Sequence, residues 1–220
     1  MVLDQFSLKG KTAIVTGSKG MMGAMICETI TELGGVVIHF DIKDGFDITS
    51  HDHCLRFSEI ENLDILVNNA VGNQSPVKSS TMGWKHDLDV GLTGAARMID
   101  YCSIQLRKRK GVILNMGSDL SLIGPDQTLY PNGLKKPLSY SVVKHGIVGM
   151  TRYFATLWPE VRCNCLCPGG IDIGQKTPHV PMGRLAQLDE MKGPVAFLIS
   201  NASSYMTGAV LSVDGGRTCW

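Results

Sequence analysis

The stretch "TAIVTGSKGMMGAMICETITELGGVVIHFD" (12–41) decides the fold. "TAIVT" (12–16) and "VVIHF" (36–40) are apolar runs of strand length. Between them "MMGAMICETITELG" (21–34) repeats its apolar residues at helical spacing and ends on glycines. Strand, helix, strand is the unit that lays two strands parallel, because a parallel pair needs a crossover long enough to hold a helix. The alternation continues. "DILVNN" (64–69), "GVILNMGS" (111–118), "VRCNCLC" (161–167) and "AVLSVDGG" (209–216) read as further strands, and helical patterns cover 84–108, 139–157 and 187–200. Most of these strands are apolar throughout, as strands buried on both faces should be. The chain therefore reads as one α/β domain over 1–220, a doubly wound parallel sheet of the Rossmann type. One connection is too short for the scheme. Only Ile42 to Gly45 separates "VVIHFD" from "FDIT", so 46–49 is a shortened edge strand or no strand at all.

Composition excludes several functions. A chain of 220 residues, 44% hydrophobic and with a net charge of +1, fits one large domain and lacks the basic surface of a nucleic-acid binder. Its one basic run, "RKRKG" (107–111), sits where cations complement a helix C-terminus. No apolar run reaches bilayer length and the first residues lack a signal-peptide core, so a cytoplasmic protein without membrane partners is expected. Seven cysteines cannot all pair with one another. Cys163, Cys165 and Cys167 alternate on one face of a strand, neighbours roughly 6.6 Å apart, too far for thiolates sharing a zinc. They read as small core residues. "HDHC" (51–54) reads as a polar helix start, and no metal site is expected.

"VTGSKGMMG" (15–23) joins the first strand to the first helix and places Gly17, Gly20 and Gly23 three apart. A first glycine permits the tight turn, a second lets a pyrophosphate approach the backbone, and a third lets helix and strand pack closely. The loop residues Gly17, Ser18, Gly20, Met22 and Gly23 are the predicted cradle, with the helix N-terminus facing the anion. Asp41, at the end of the second strand, can accept hydrogen bonds from both ribose hydroxyls of NAD and repels the 2′-phosphate of NADP. NAD is the expected cofactor. Lys19 and Lys43 soften the exclusion, so NADP stays open.

"SYSVVKHG" (139–146) stacks Tyr140 and Lys144 one turn apart on a helix. Reducing a ketone takes a hydride to carbon and a proton to oxygen. A phenol with an ordinary pKa near 10 is a poor base at neutral pH, but a neighbouring ammonium and an oxidised nicotinamide both favour phenolate. Tyr140 is thus a candidate general acid/base, with Lys144 expected to lower its pKa. Ser118, at the mouth of its strand, would orient the substrate oxygen.

"TGSKGMMG", "NNA" (68–70), "GS" (117–118), "YSVVK" (140–144) and "PGG" (168–170), in that order, resemble the short-chain dehydrogenase/reductase family over essentially the whole chain. The resemblance implies nicotinamide-dependent interconversion of an alcohol and a carbonyl by Ser118, Tyr140 and Lys144. It also implies that Lys144 holds the nicotinamide ribose and that the protein is a homo-oligomer, tetramer or dimer. Asp47 and Ile48 would meet the adenine, Asn69, Ala70, Val71 and Met116 would line the cofactor, and Pro168, Gly169 and Ile171 would border the nicotinamide. Within the family, the insert before Tyr140 and "RCNCLCPGGI" look most like members associated with nonulosonic-acid and flagellin-glycan synthesis.

Three features depart from the family pattern. The usual middle glycine would fall at Met21. Gly91 stands where many members carry an asparagine that anchors a relay water. The segment "GPDQTLYPNGLKKP" (124–137) lengthens the connection between Ser118 and Tyr140 and reads as a loop over the site, its Lys135 and Lys136 able to meet an anionic substrate. "GQKTPHVP" (174–181) is short for a substrate lid. The alternatives left open are a catalytically silent NAD-binding sensor or subunit, and a sugar-nucleotide epimerase or dehydratase, which the chain length disfavours.

Overall fold

The computed structural model describes residues 1–72, 75–79, 81–174 and 179–219. Six parallel strands, β1 (Thr12–Thr16), β2 (Val36–Phe40), β3 (Ile65–Asn68), β4 (Val112–Met116), β5 (Arg162–Pro168) and β6 (Val210–Val213), lie in the order β2-β1-β3-β4-β5-β6. The order of the strands reverses between β1 and β3, and that switch point marks the crevice where such sheets bind ligands. Central strands are apolar on both faces. Ile14, Leu66 and Ile113 are fully buried on one side, while Val15, Val67 and Leu114 are fully buried on the other. Each such side chain contributes about 1.5–3 kcal/mol by leaving water, so the middle of the sheet is the rigid platform.

Helices cover both faces. α1 (Met21–Glu32) and α6 (Lys192–Ile199) pack on one, with Met25, Ile26, Ile30 and Val195 against the sheet. On the other lie α4 (Ala95–Arg109), which buries Met98, Ile99, Cys102 and Leu106, and α5 (Leu138–Leu157), which buries Val143, Ile147 and Phe154. Two short helices, α2 (His51–Leu55) and α3 (Trp84–Leu88), complete the set used below. α2 starts as the sequence suggests, with Ser50 Oγ accepting from His53 N at 3.3 Å. The single helical pattern over 84–108 is interrupted. A π-type turn, Asp89–Gly94, separates α3 from α4 at the position of Gly91.

No strand forms at 46–49. The chain leaves β2 through a 3-10 turn (Ile42–Asp44), turns at Gly45 (φ 83°) and enters α2, leaving β2 as the sheet edge with Val36 60% exposed. The sheet ends at β2 because Ile42 to Gly45 is too short a connection to carry the chain to a further parallel strand at 46–49. Cys163, Cys165 and Cys167 are fully buried core residues, as expected, but the sulfurs of Cys165 and Cys167 lean to within 3.7 Å of each other, closer than their backbone spacing. No group of His, Cys, Asp and Glu among the described residues could hold a metal, and no helix searched is long and apolar enough to cross a membrane. Part of the 174–181 segment lies outside the described residues.

Candidate active site

The carboxyl ends of five adjacent strands open into one cavity of about 1120 Å³. That exceeds the roughly 300–1,000 Å³ of a typical small-ligand pocket and gives room for a dinucleotide beside a small substrate. Gly17 follows β1, Asp41 follows β2, Asn69 follows β3, Ser118 follows β4 and Gly169 follows β5, and all five line it.

At one end is the glycine loop. Gly17 turns at φ 63°, and a Cβ there would stand 3.0 Å from Ala70 Cα. A Cβ on Gly23 would lie 2.0 Å from the Gly17 carbonyl oxygen. Gly20 caps α1 with no side chain, so the first-turn N–H groups point at the cavity with nothing over them but backbone. Gly20, Met22 and Gly23 line the cavity as expected. Ser18 does not. Its side chain is 2% exposed, and its buried Oγ has no hydrogen-bond partner among the described residues.

Asp41 is more committed than the sequence implies. Its Oδ2 accepts from Lys19 N at 2.7 Å and its Oδ1 from Lys43 N at 2.9 Å, and the residue is only 5% exposed. The carboxylate thus ties the glycine loop to the turn after β2. Each oxygen keeps a second lone pair for a ribose hydroxyl. Lys19 and Lys43 flank it, the former ion-paired with Asp44 and the latter donating to Lys19 O at 3.2 Å. Asp47 and Ile48 line this same end, Asp47 held by Thr49 N at 2.8 Å. Asn69 lines the cavity while its Nδ2 donates to Thr16 O and Gly17 O, both at 3.0 Å, so its amide braces the loop. These features fit an adenine dinucleotide: a side-chain-free cradle at a helix N-terminus, with a carboxylate one strand away.

At the other end Ala70, Val71, Met116, Pro168 and Ile171 form walls around Ser118, Tyr140 and Lys144. α5 carries the last two, and a buried amide ladder fixes it to the sheet. Asn68 Nδ2 donates to Asn115 Oδ1 at 2.9 Å, Asn115 Nδ2 donates to Thr151 Oγ1 at 2.9 Å, and Thr151 Oγ1 donates to Ile147 O at 2.8 Å. Lys144 is buried and donates to Met116 O at 2.6 Å, with its Nζ 5.7 Å from the Tyr140 ring centroid. Tyr140 is hydrogen-bonded to Ser118.

The direction of the phenol's shift corrects one expectation. Burial pushes Tyr140 up to about 12 despite the hydrogen bond with Ser118, and burial pushes the Lys144 ammonium down to about 8. Desolvation is the largest cause at both groups. A positive charge brought beside the phenol would act in the opposite direction and favour phenolate.

Two residues here escape a motif reading. Ser118 Oγ donates to Asp119 Oδ1 at 2.8 Å, and Asp119 Oδ2 pairs with Arg217 Nη1 at 2.7 Å, both side chains nearly buried. The carboxylate orients the serine hydroxyl, whose Oγ also accepts from Leu120 N at 3.2 Å, leaving one lone pair for a further donor. The sequence signal for this pair is an acid directly after Ser118, where an apolar strand ends and a charge must bury with a partner.

Gly91 is explained by packing. A Cβ there would lie 2.5 Å from Val143 Cγ1 on α5, so the valine fills the space an asparagine would need. Gly91→Asn is expected to cost about 1–3 kcal/mol by overpacking. Adding Val143→Ala should recover part of it, with a coupling of about 0.5–3 kcal/mol in a urea-unfolding double-mutant cycle. Strict additivity would place the two side chains in separate sites.

Comparisons with known proteins agree with this architecture. Residues 4–218 match the family model described as "Enoyl-(Acyl carrier protein) reductase". The chain is 30% identical to 2-dehydro-3-deoxy-D-gluconate 5-dehydrogenase of Bacillus subtilis (strain 168), over 97% of this chain and 96% of that one. It is 29% identical to NADP-dependent mannitol dehydrogenase of Hypocrea jecorina, over 99% and 96%. The crystal structure of a short-chain dehydrogenase from Leptospira borgpetersenii with bound NAD+ superposes with a TM-score of 0.85 at 28% identity, covering 99% of this chain and 96% of that chain. With the ordered motifs, the six-stranded parallel sheet and these matches together, the chain belongs to the short-chain dehydrogenase/reductase family.

Proposed function

We propose that this oxidoreductase interconverts a secondary alcohol and a ketone on a sugar or sugar-derived acid, with NAD as the preferred cofactor. The observation that carries the reading is the convergence of Ser118, Tyr140 and Lys144 at the end of the cavity opposite the glycine loop. When bound, the nicotinamide supplies or accepts the hydride. The glycine loop and the α1 N-terminus would hold the pyrophosphate, Asp41 the adenosine ribose, and Lys144 the nicotinamide ribose. Tyr140 transfers the proton to or from the substrate oxygen, and Ser118 turns its one hydroxyl hydrogen from Asp119 to that oxygen to orient it. An oxidised nicotinamide, when bound, would add a positive charge that favours the phenolate of Tyr140, against the burial that raises its pKa.

The relatives with sugar-acid and polyol names support the substrate class. A nonulosonic acid is a narrower case of the same chemistry, and the protein is proposed to act in the cytoplasm as a homo-oligomer. The test is NADH formation at 340 nm with aldonates, alditols and nonulosonic-acid intermediates, repeated with NADP. Turnover of at least one class with a higher kcat/KM for NAD is expected, because the Asp41 carboxylate at the end of the second strand would repel a 2′-phosphate. A preference for NADP would reassign Lys19 and Lys43 as phosphate ligands. Bound cofactor cycling without net NADH would favour an epimerase.

A further inference from the structure

The last described turn of the chain reaches back to the serine end of the cavity. After β6, Gly215 (φ 67°) and Gly216 (φ 88°) both take left-handed backbone and reverse the chain. Asp214 staples that reversal. Its Oδ1 accepts from Gly216 N at 2.9 Å, and its Oδ2 accepts from Thr218 N at 3.0 Å and from Ser212 Oγ at 2.8 Å. Pro181 closes on the turn, where a Cβ at Gly216 would stand 2.9 Å from Pro181 Cγ. The turn so fixed carries Arg217, which lines the cavity and pairs through Nη1 with Asp119 Oδ2 at 2.7 Å. The two side chains are 12% and 5% exposed, so the ion pair is largely out of water.

The contacts of Asp119 divide between its two oxygens. Oδ1 accepts from Ser118 Oγ and from Leu120 N, both at 2.8 Å, and Oδ2 is held by Arg217. Hydride transfer to a ketone builds negative charge on the substrate oxygen. Ser118 has one hydroxyl hydrogen, so it can meet that charge only by turning the hydrogen away from Oδ1. The carboxylate left behind must stay compensated, because a buried unpaired charge is costly. Leu120 N remains on Oδ1 and the guanidinium remains on Oδ2, so of these three donors the serine is the one able to leave. Without Arg217 the same carboxylate would draw harder on the serine hydrogen. We propose that Arg217 is a positioning residue of the dehydrogenase site, which compensates Asp119 and so keeps the Ser118 hydroxyl exchangeable between the carboxylate and the substrate oxygen. The inference rests on the dehydrogenase reading and adds to it a residue that its motifs do not contain. Arg217 acts through Asp119 and Ser118 rather than by touching substrate.

The experiment is a double-mutant cycle of Arg217→Met and Ser118→Ala. It is read in turnover, as NADH formation with the aldonates and alditols of the substrate screen, and in urea unfolding of the cofactor-free protein. Arg217→Met alone should lower kcat by about 10-fold, less than the roughly 10²–10³-fold of deleting such a donor outright, with KM and NADH affinity nearly unchanged. In the Ser118→Ala background the same substitution should change kcat little, because the hydroxyl it acts through is gone. In unfolding, Ser118→Ala should destabilise Arg217→Met more than it destabilises wild type, by about fivefold in the folding equilibrium constant. Arg217→Lys, which keeps the charge, should recover most of the lost kcat. An arginine that only braces the turn would lower stability and leave the kcat of the folded protein unchanged. If Arg217→Met does not fold, Arg217→Gln takes its place in the cycle with the same signs expected. Additive losses in both readouts overturn the inference. A raised KM with kcat unchanged overturns it too, and would make Arg217 a direct substrate ligand. Wild-type turnover with additive losses leaves the dehydrogenase reading standing alone, whereas coupling in unfolding without any wild-type turnover supports the link from Arg217 to Ser118 and removes that reading.

Discussion

Tyr140→Phe is expected to lower kcat by about 10²–10⁴-fold, the usual contribution of a positioned general acid/base, while the protein still binds NADH. The ring itself packs beside Lys136 and Lys144, so phenylalanine keeps the shape and removes only the proton-bearing oxygen. The pH profile gives a second readout. Alcohol oxidation needs phenolate, so its rate should rise with pH, whereas ketone reduction needs phenol and should fall. The protein's own groups place Tyr140 at about 12. An oxidation profile whose midpoint falls when NAD+ is bound, relative to the pKa of Tyr140 titrated without cofactor, would show that the oxidised nicotinamide favours phenolate, each pH unit being worth about 1.4 kcal/mol. Stopped-flow measurement of NADH formation in wild type and variant checks both points. Undiminished turnover in Tyr140→Phe would remove this residue from the chemistry. NADH binding with no turnover in wild type across the substrate series would instead favour the silent sensor.

The sheet and its cofactor crevice were largely legible in the sequence, because both follow from local patterns. Apolar runs of strand length and glycines at fixed spacing are visible without knowing what packs on what. The break of the 84–108 helix at Gly91 was not, since it depends on Val143 arriving from α5. Nor was the second duty of Asp41, whose backbone partners at Lys19 and Lys43 meet only when β1 and β2 lie side by side. The pair Asp119–Arg217 joins the end of β4 to the chain's last described turn, a contact no local window contains. The phenol's direction was misjudged for a physical reason. Spacing shows that an ammonium is near, but burial, the largest influence on the phenol, is a property of the assembled cavity. The burial of Ser18 was hidden for the same reason: its loop neighbours Gly17 and Gly20 line the cavity, but how deeply each loop residue sits is set by the assembled fold.

The glycine loop carries the other large effect. In Gly23→Ala the new methyl would meet the Gly17 carbonyl oxygen at 2.0 Å, Ser18 Cα at 2.8 Å and Gly17 C at 2.9 Å. All three are backbone atoms, so no rotamer change relieves the contact, and α1 must move off the loop. That movement pulls Met25 and Ile26 from the sheet face and carries the first-turn N–H groups away from the cavity. Overpacking of this kind costs about 1–3 kcal/mol and often more where backbone is the obstacle. NADH affinity should fall by about 100-fold or more, roughly 2.7 kcal/mol, because the anion loses the donors that hold it. Gly20→Ala separates the two contributions. Its Cβ would meet only Gly17 O, at 3.3 Å, so folding should be nearly unchanged while the methyl intrudes on the path of the pyrophosphate. Urea unfolding and fluorescence titration with NADH measure the two quantities independently. If Gly23→Ala bound NADH as tightly as wild type, or Gly20→Ala lost stability without losing affinity, the loop would be a packing junction and the pyrophosphate would have to lie elsewhere in the cavity.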